Sequence, residues 1–194
     1  MNNKQRAALM RSIFIVAILV LSMISGLLFQ HLYDKYEHRE YPREYSQYVT
    51  EYASEFGVPE YVVYAVIKTE SDFESGAVSG EGAVGLMQLM PDTFHWLCTL
   101  TRETYDTGML YDPETNIKYG TYYLSYLYLT YGNWDTVYAA YNAGMGNVNE
   151  WLGDAADGDG AKVLSDIPFE ETENYVKKVN KAAEVYLRLY YKSV

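Results

Sequence analysis

The sequence predicts an all-α globular domain behind a single N-terminal transmembrane helix, and three observations carry that reading. From Ser12 to Phe29 (SIFIVAILVLSMISGLLF) no residue is charged. At about 1.5 Å per residue, roughly 18 apolar-rich residues nearly span a hydrocarbon core. Beyond Arg43 the apolar residues recur with helical spacing, and little alternates with the period of two that strands require. Finally, the chain has 194 residues, 49% of them hydrophobic and 21% charged, which suits one ordinary domain plus an appendage and not a disordered protein.

Taken in order, residues 1–11 read as a short cytoplasmic tail bearing Lys4, Arg6 and Arg11, and residues 12–30 as the anchor. A cleaved signal peptide is the alternative. No small-x-small cleavage site of the Ala-x-Ala kind follows, however, and the apolar run exceeds a usual signal core, so an uncleaved anchor is expected. Lys35, Arg39 and Arg43 on the far side match the three cations of the tail, so the positive-inside rule nearly ties. The expected orientation keeps the short basic tail inside and exports the long acidic domain, giving a single-pass protein of the cell membrane with an extracytoplasmic domain. Residues 31–43 (HLYDKYEHREYPR) mix charge, tyrosine and one proline, as expected of a juxtamembrane spacer.

The domain is expected over residues 44–194. Helical patterns run from Glu44 to Phe56, Pro59 to Ser71, Pro91 to Leu97, Pro113 to Tyr131, Trp134 to Asn142, Gly146 to Leu152 and Glu171 to Tyr191. Breaks fall at Gly57-Val58-Pro59, from Gly80 to Gly85, at Gly132-Asn133 and from Gly153 to Ala161. The last, GDAADGDGA, has the composition of a calcium loop without its spaced ligands or terminal Glu, and reads as a solvated loop. There is no internal repeat. Several of the 22 tyrosines, among them Tyr119, Tyr122, Tyr123 and Tyr126, share helical spacing, which marks core or packing surface more often than a sugar platform. The formal net charge of −11 disfavours nucleic acid as a partner. Cys98 is the one cysteine, which rules out an internal disulfide and a lipidated cysteine after the anchor. His31, His38 and His95 are scattered and offer no convincing set of metal ligands.

The chemistry concentrates between Thr69 and Gln88 (TESDFESGAVSGEGAVGLMQ). Glu70 follows Val63, Val66 and Ile67 by seven, four and three residues, which places it on the apolar face of the helix that contains them. Asp72 points about 200° away, towards solvent. Glu74 lies beyond the expected end of the helix, and Glu81 within a glycine-rich stretch. A carboxylate on an apolar face either pairs with a cation or has a raised pKa. A Glu held protonated can serve as a general acid, whereas a helix-terminal Glu can simply hydrogen-bond the following loop; the pattern alone leaves both readings open. Gly80, Gly82 and Gly85 allow close backbone approach, and Gln88 sets a donor and acceptor amide beside soft apolar side chains, which suits a ligand bearing hydroxyls and acetamides.

Glu70-Ser71, then Ser79, then GAVGLMQLMPDT from Gly82 to Thr93, resembles the signature of the soluble-type lytic transglycosylases, whose fold is similar to goose-type lysozyme. Three later segments agree in order: DPETNIKYGTYYLSYL from Asp112, AAYNAGMGNV from Ala139 and IPFEETENYVKKV from Ile167. The resemblance covers roughly Glu44 to Tyr190. It implies a lysozyme-like domain acting on peptidoglycan glycan strands, with Glu70 as the catalytic acid and Ser71 as its motif partner. It further implies that Ser79, Gln88 and Met90 line the sugar groove, that Tyr141 and Asn142 stand across from Glu70, and that Glu171 faces the cleft. Each of these has a plainer reading: Ser79 as a turn hydroxyl, Met90 as core, Asn142 as a cap and Glu171 as a first-turn acid. Family members often carry Arg where this chain has Glu173, so the contact made by that arginine is not carried over.

By the same resemblance, the reaction joins the 6-hydroxyl of N-acetylmuramic acid to its own anomeric carbon and needs no cofactor or metal. Glu70 acts as acid and then as base, Tyr141 holds Glu70 or the sugar, and other cell-wall machinery is an expected partner. A hydrolase of the same fold would need a second carboxylate to hold water. A glycan-binding scaffold without catalysis is a third reading, which the complete motif set disfavours.

Overall fold

The computed structural model describes residues 3–104, 106–153 and 160–192. The chain divides into two compact units, Met1–Pro42 and Arg43–Val194. The first holds one helix, α1, over Asn3–Glu40. Within it, Ile13–Glu40 is long and apolar enough to cross a membrane. Most of residues 31–43, read from sequence as a spacer, continue this helix. The reason is cooperative: once the apolar run is helical, adding residues costs little, and neither Gly nor Pro occurs between His31 and Pro42.

The second unit is built from seven helices among the described residues: α2 (Ser46–Phe56), α3 (Glu60–Glu70), α4 (Pro91–Thr101), α5 (Pro113–Tyr131), α6 (Trp134–Ala143), α7 (Met145–Leu152) and α8 (Glu170–Tyr186). A short 3₁₀ turn at Thr107–Tyr111 precedes α5, and a π-helical turn at Leu187–Tyr191 continues α8. No strand occurs among the described residues. Two isolated antiparallel bridges, Val78 with Val84 and Val84 with Leu89, tie the glycine-rich stretch to itself. The Asp/Gly-rich segment after Gly153 lies largely outside the described residues.

Local chemistry sets the helix ends. Asp112 caps α5, accepting from the Thr115 backbone N–H at 2.9 Å, and Asn133 caps α6, accepting from Thr136 N–H at 3.1 Å. Pro91 and Pro113 open α4 and α5, where a missing N–H costs nothing. Gly57 closes α2 with φ 69°, a left-handed conformation that glycine adopts without strain. Helix α4 runs one turn past its expected end at Leu97, to Thr101, because no breaker interrupts it.

Helix α3 lies at the centre. Val62, Val63, Tyr64, Ala65, Val66 and Ile67 all have 0% exposure, so α3 is covered all round and not only on the face that Val63, Val66 and Ile67 mark. It packs on α8 and α2, while α5 packs on α2 and α6, and α6 on α7 and α8. Tyrosine supplies much of the core: Tyr64, Tyr119, Tyr131, Tyr138 and Tyr186 are essentially fully buried. Gly120 on α5 admits Met87 from the loop before α4; a Cβ there would lie 2.4 Å from the Met87 Sδ. Gly120→Ala is therefore expected to lower the stability of the Arg43–Val194 unit by about 1–3 kcal/mol, as overpacking does, and urea unfolding should show this as a lower midpoint at unchanged slope.

Candidate active site

Glu70 is the last residue of α3, so the central helix of the core aims its terminal side chain. Directly after it, Asp72 and Phe73 adopt φ of 50° and 68°, left-handed conformations that non-glycine residues rarely take. Two contacts hold this turn. Phe73 is buried with its ring centroid 6.4 Å from that of Tyr64, and Lys68 Nζ donates to Asp72 Oδ1 at 2.6 Å on the surface.

The stretch from Val84 to Leu89 forms the facing wall, and Asn116 on α5 fixes it. The Asn116 side chain is buried; its Oδ1 accepts from Met87 N–H at 2.8 Å, and its Nδ2 donates to the carbonyls of Val84 at 2.9 Å and Leu110 at 2.8 Å. Gly85 sits against this amide with φ 81°, and a Cβ there would lie 2.3 Å from Nδ2. Gly85 is thus required twice, for its backbone angle and for its missing side chain.

Glu70 is half-buried at the surface but densely surrounded. Burial raises its pKa from 4.5 to about 7, against the opposing effect of Tyr175 on α8, whose hydroxyl donates to Glu70 Oε1 at 2.7 Å. Near neutral pH the carboxyl is therefore divided between its protonated and ionised forms. Two tyrosines respond in turn: burial first, and then the Glu70 charge, push the Tyr141 and Tyr175 hydroxyls well above their usual range. Both stay protonated and can donate.

The candidate residues fall into distinct places. Ser71 Oγ donates to the Leu86 carbonyl at 2.7 Å and to Ile67 at 3.3 Å, which joins the end of α3 to the loop wall. Ser79 Oγ accepts from the backbone N–H groups of Glu81 at 3.2 Å and Ala83 at 3.1 Å, a turn-forming role. Gln88, at φ 47°, donates through Nε2 to Ala77 at 3.1 Å and Gly85 at 2.8 Å, which leaves its carbonyl oxygen as the end able to face a ligand. Tyr141 donates to the Met87 carbonyl at 2.8 Å. Asn142 accepts from Thr172 Oγ1 at 2.8 Å, and Glu171 is exposed in the first turn of α8. A cavity of about 230 Å³ is lined by Gln88, Met90, Tyr141 and Asn142 together with Leu89, Thr93, Tyr123, Ala143 and Gly144. Glu70 does not line it; Tyr141, whose titration feels the Glu70 charge, joins the two.

The hydrogen-bond partner of Glu70 is Tyr175, while Tyr141, expected to hold Glu70 or the sugar, donates to the Met87 carbonyl. Sequence reasoning missed Tyr175 because it lies on the buried face of α8 with Thr172, Val176 and Val179, where it reads as one more core tyrosine. The other nearby acids stand apart: Asp72 is paired with Lys68 on the surface, and Glu74 and Glu81 are exposed. Among the described residues no three His, Cys, Asp or Glu side chains gather as metal ligands do.

The model of the transglycosylase SLT domain matches residues 47–164, more than half of the chain. The chain belongs to the transglycosylase SLT domain family. Two curated relatives match over a larger share of the chain than this domain. The soluble lytic murein transglycosylase of Escherichia coli (strain K12) is 38% identical over 176 residues, covering 88% of this chain and 26% of its own length. The membrane-bound lytic murein transglycosylase C of Edwardsiella ictaluri is 34% identical over 157 residues, covering 69% of this chain and 44% of its own. Among solved structures, the 70-kDa soluble lytic transglycosylase in complex with bulgecin A superposes with a TM-score of 0.72 at 35% identity, covering 90% of this chain and 28% of that one. The all-α, lysozyme-like architecture expected from sequence is the one the SLT domain adopts here. The chain spans about a quarter of the length of the soluble relative and less than half of the membrane-bound one.

The raised pKa of Glu70 carries a stability cost with a definite sign. Below pH 4.5 the carboxyl is protonated whether the chain is folded or not, and the cost is absent. It grows as pH rises through 4.5 towards 7, where the unfolded chain ionises first, and is complete above about 7. Glu70→Gln should therefore stabilise the fold by about 1–3 kcal/mol at pH 8 and by almost nothing at pH 4, as measured by paired denaturation curves. Tyr175→Phe removes a bond that favours the ionised form, so the Glu70 titration observed by NMR should move upward by about one unit.

Proposed function

We propose that this chain is a peptidoglycan lytic transglycosylase that cleaves the β-1,4 bond between N-acetylmuramic acid and N-acetylglucosamine and leaves 1,6-anhydro-muramoyl ends. The carrying observation is Glu70: a single carboxyl, raised to about 7, held by Tyr175 beside a cleft, with the neighbouring acids on the outer surface. Such a group is protonated often enough near neutral pH to donate, and ionised easily enough to accept.

The chemistry balances on that one group. Protonated Glu70 gives its proton to the bridging oxygen, the bond from that oxygen to the muramic C1 breaks, and the freed sugar leaves with a hydroxyl. The resulting Glu70 carboxylate then takes the proton of the muramic 6-hydroxyl as its oxygen bonds to C1. The anhydro ring closes, Glu70 is protonated again, and no water is consumed. Hydrolysis would instead use a carboxylate to activate water, a role for which Asp72, paired to Lys68 at 2.6 Å, is poorly placed.

Around Glu70, Tyr175 keeps one carboxyl oxygen oriented. The Gln88 carbonyl, Met90 and Asn142 contact the sugars from the cleft. Ser71, Ser79 and Tyr141 shape the wall through the hydrogen bonds described above, and exposed Glu171 meets the strand from α8. Residues 1–11 are the cytoplasmic tail, 12–30 the membrane span, 31–43 the connection and 44–194 the extracytoplasmic catalytic domain. The partners are glycan strands, the bilayer through α1, and other cell-wall machinery.

Mass spectrometry of the muropeptides released from purified peptidoglycan tests the reaction. Anhydro ends from the parent chain, with release lowered at least about 10³-fold in Glu70→Gln, are expected. Reducing ends would assign a hydrolase, and equal release by both chains would remove Glu70 from the chemistry. Since the donor must be protonated at the outset, kcat/KM should be level below pH 7 and fall about tenfold per pH unit above it; a rate that rises from pH 7 to 9 would contradict the acid role.

A further inference from the structure

The cavity that Tyr141 and Asn142 line, at about 230 Å³, is smaller than the usual pocket of a drug-sized ligand, so a polymeric glycan must also touch surface beyond it. One exposed feature continues that surface. Phe169, the residue that caps α8, is 49% exposed although most large apolar side chains of this unit are buried, and its ring meets Trp151 of α7 edge-on, with centroids 5.0 Å apart at 82°. Both rings connect to the cleft through the backbone. Phe169 lies three residues before Thr172, whose hydroxyl donates to the cleft-lining Asn142. Trp151 lies seven residues after the cleft-lining Gly144, about two turns further along the same face of α7.

The geometry points to a remote saccharide subsite at Trp151 and Phe169, which takes an uncharged N-acetylhexosamine unit of the same glycan strand. This rests on the transglycosylase reading and adds a binding position to it. An aromatic face covers the C–H face of a sugar ring, and the indole N–H supplies a donor to its hydroxyls. The charge nearby selects the neutral sugar. Exposed Glu170 and Glu171 follow Phe169 directly and accept hydrogen bonds from sugar hydroxyls, but they repel the carboxylates of the peptide that a muramic unit carries. Glu173, the third acid of that turn, is tied to Lys177 at 2.5 Å.

The test uses the full chain in detergent carrying Glu70→Gln, with β-1,4-linked N-acetylglucosamine dimer and hexamer as probes and tryptophan fluorescence as the readout. Phe169→Leu keeps the apolar volume and removes the stacking face. It should weaken hexamer binding about 5- to 10-fold and leave dimer binding unchanged, and Phe169→Tyr should restore the hexamer. Equal weakening of both probes would make Phe169 a packing residue and overturn the subsite, as would unchanged binding of both. Failure of the parent Glu70→Gln chain to prefer hexamer over dimer would overturn it too. Peptidoglycan cleavage by the chain with Glu70 intact, scored separately by its anhydro products, distinguishes loss of this subsite from failure of the transglycosylase reading.

Discussion

The site depends above all on one buried amide. Asn116 reaches from α5 to hold the Met87 N–H and the Val84 and Leu110 carbonyls, and with those groups fixed the loop presents its remaining polar atoms outward. The Met87 carbonyl receives the Tyr141 hydroxyl from α6, and the Leu86 carbonyl receives Ser71 from the end of α3. Three helices thus meet on one short loop whose own backbone makes two isolated bridges and a few turn hydrogen bonds. A buried network of this kind is rigid only while every member is satisfied, so the loop, and with it the wall opposite Glu70, stands or falls as a unit.

The same economy governs Glu70. Its helix is buried all round because α2 and α8 cover it, and that cover takes the terminal carboxyl out of water. Desolvation alone would push the group further towards its neutral form; the Tyr175 hydroxyl draws it back to near neutrality. Two opposed effects of ordinary size therefore leave an acid that can exchange its proton at physiological pH. Left-handed Asp72 and Phe73 follow within three residues and end the helix at Glu70.

Much of the fold could be read directly. The apolar run of α1, the helical spacing of the domain, and the breaks at Gly57 and Gly132 are local signals, and local chemistry decides them. The family motifs likewise singled out Glu70, Gln88, Met90 and Asn142 as candidates. Tyr175 was illegible for a physical reason: on its own helix it has the spacing of a core residue, and only the packing of α8 against α3 brings its hydroxyl to Glu70, 105 residues earlier in the chain. Asn116 was hidden in the same way, a polar residue at a helical position two of whose partners, Met87 and Val84, lie 29 and 32 residues earlier.

Composition, periodicity and the ordered motifs by themselves determined that this protein has an all-α SLT domain behind an apolar helix, with an acid at the end of the helix that begins near Pro59. They did so because helix formation, chain breaks and apolar faces are set over a few residues. Only the tertiary structure decided what surrounds that acid: which tyrosine holds it, which acids stay out in solvent, and which amide fixes the facing wall. Those are contacts between helices distant in sequence, and their energies depend on burial that no local stretch contains.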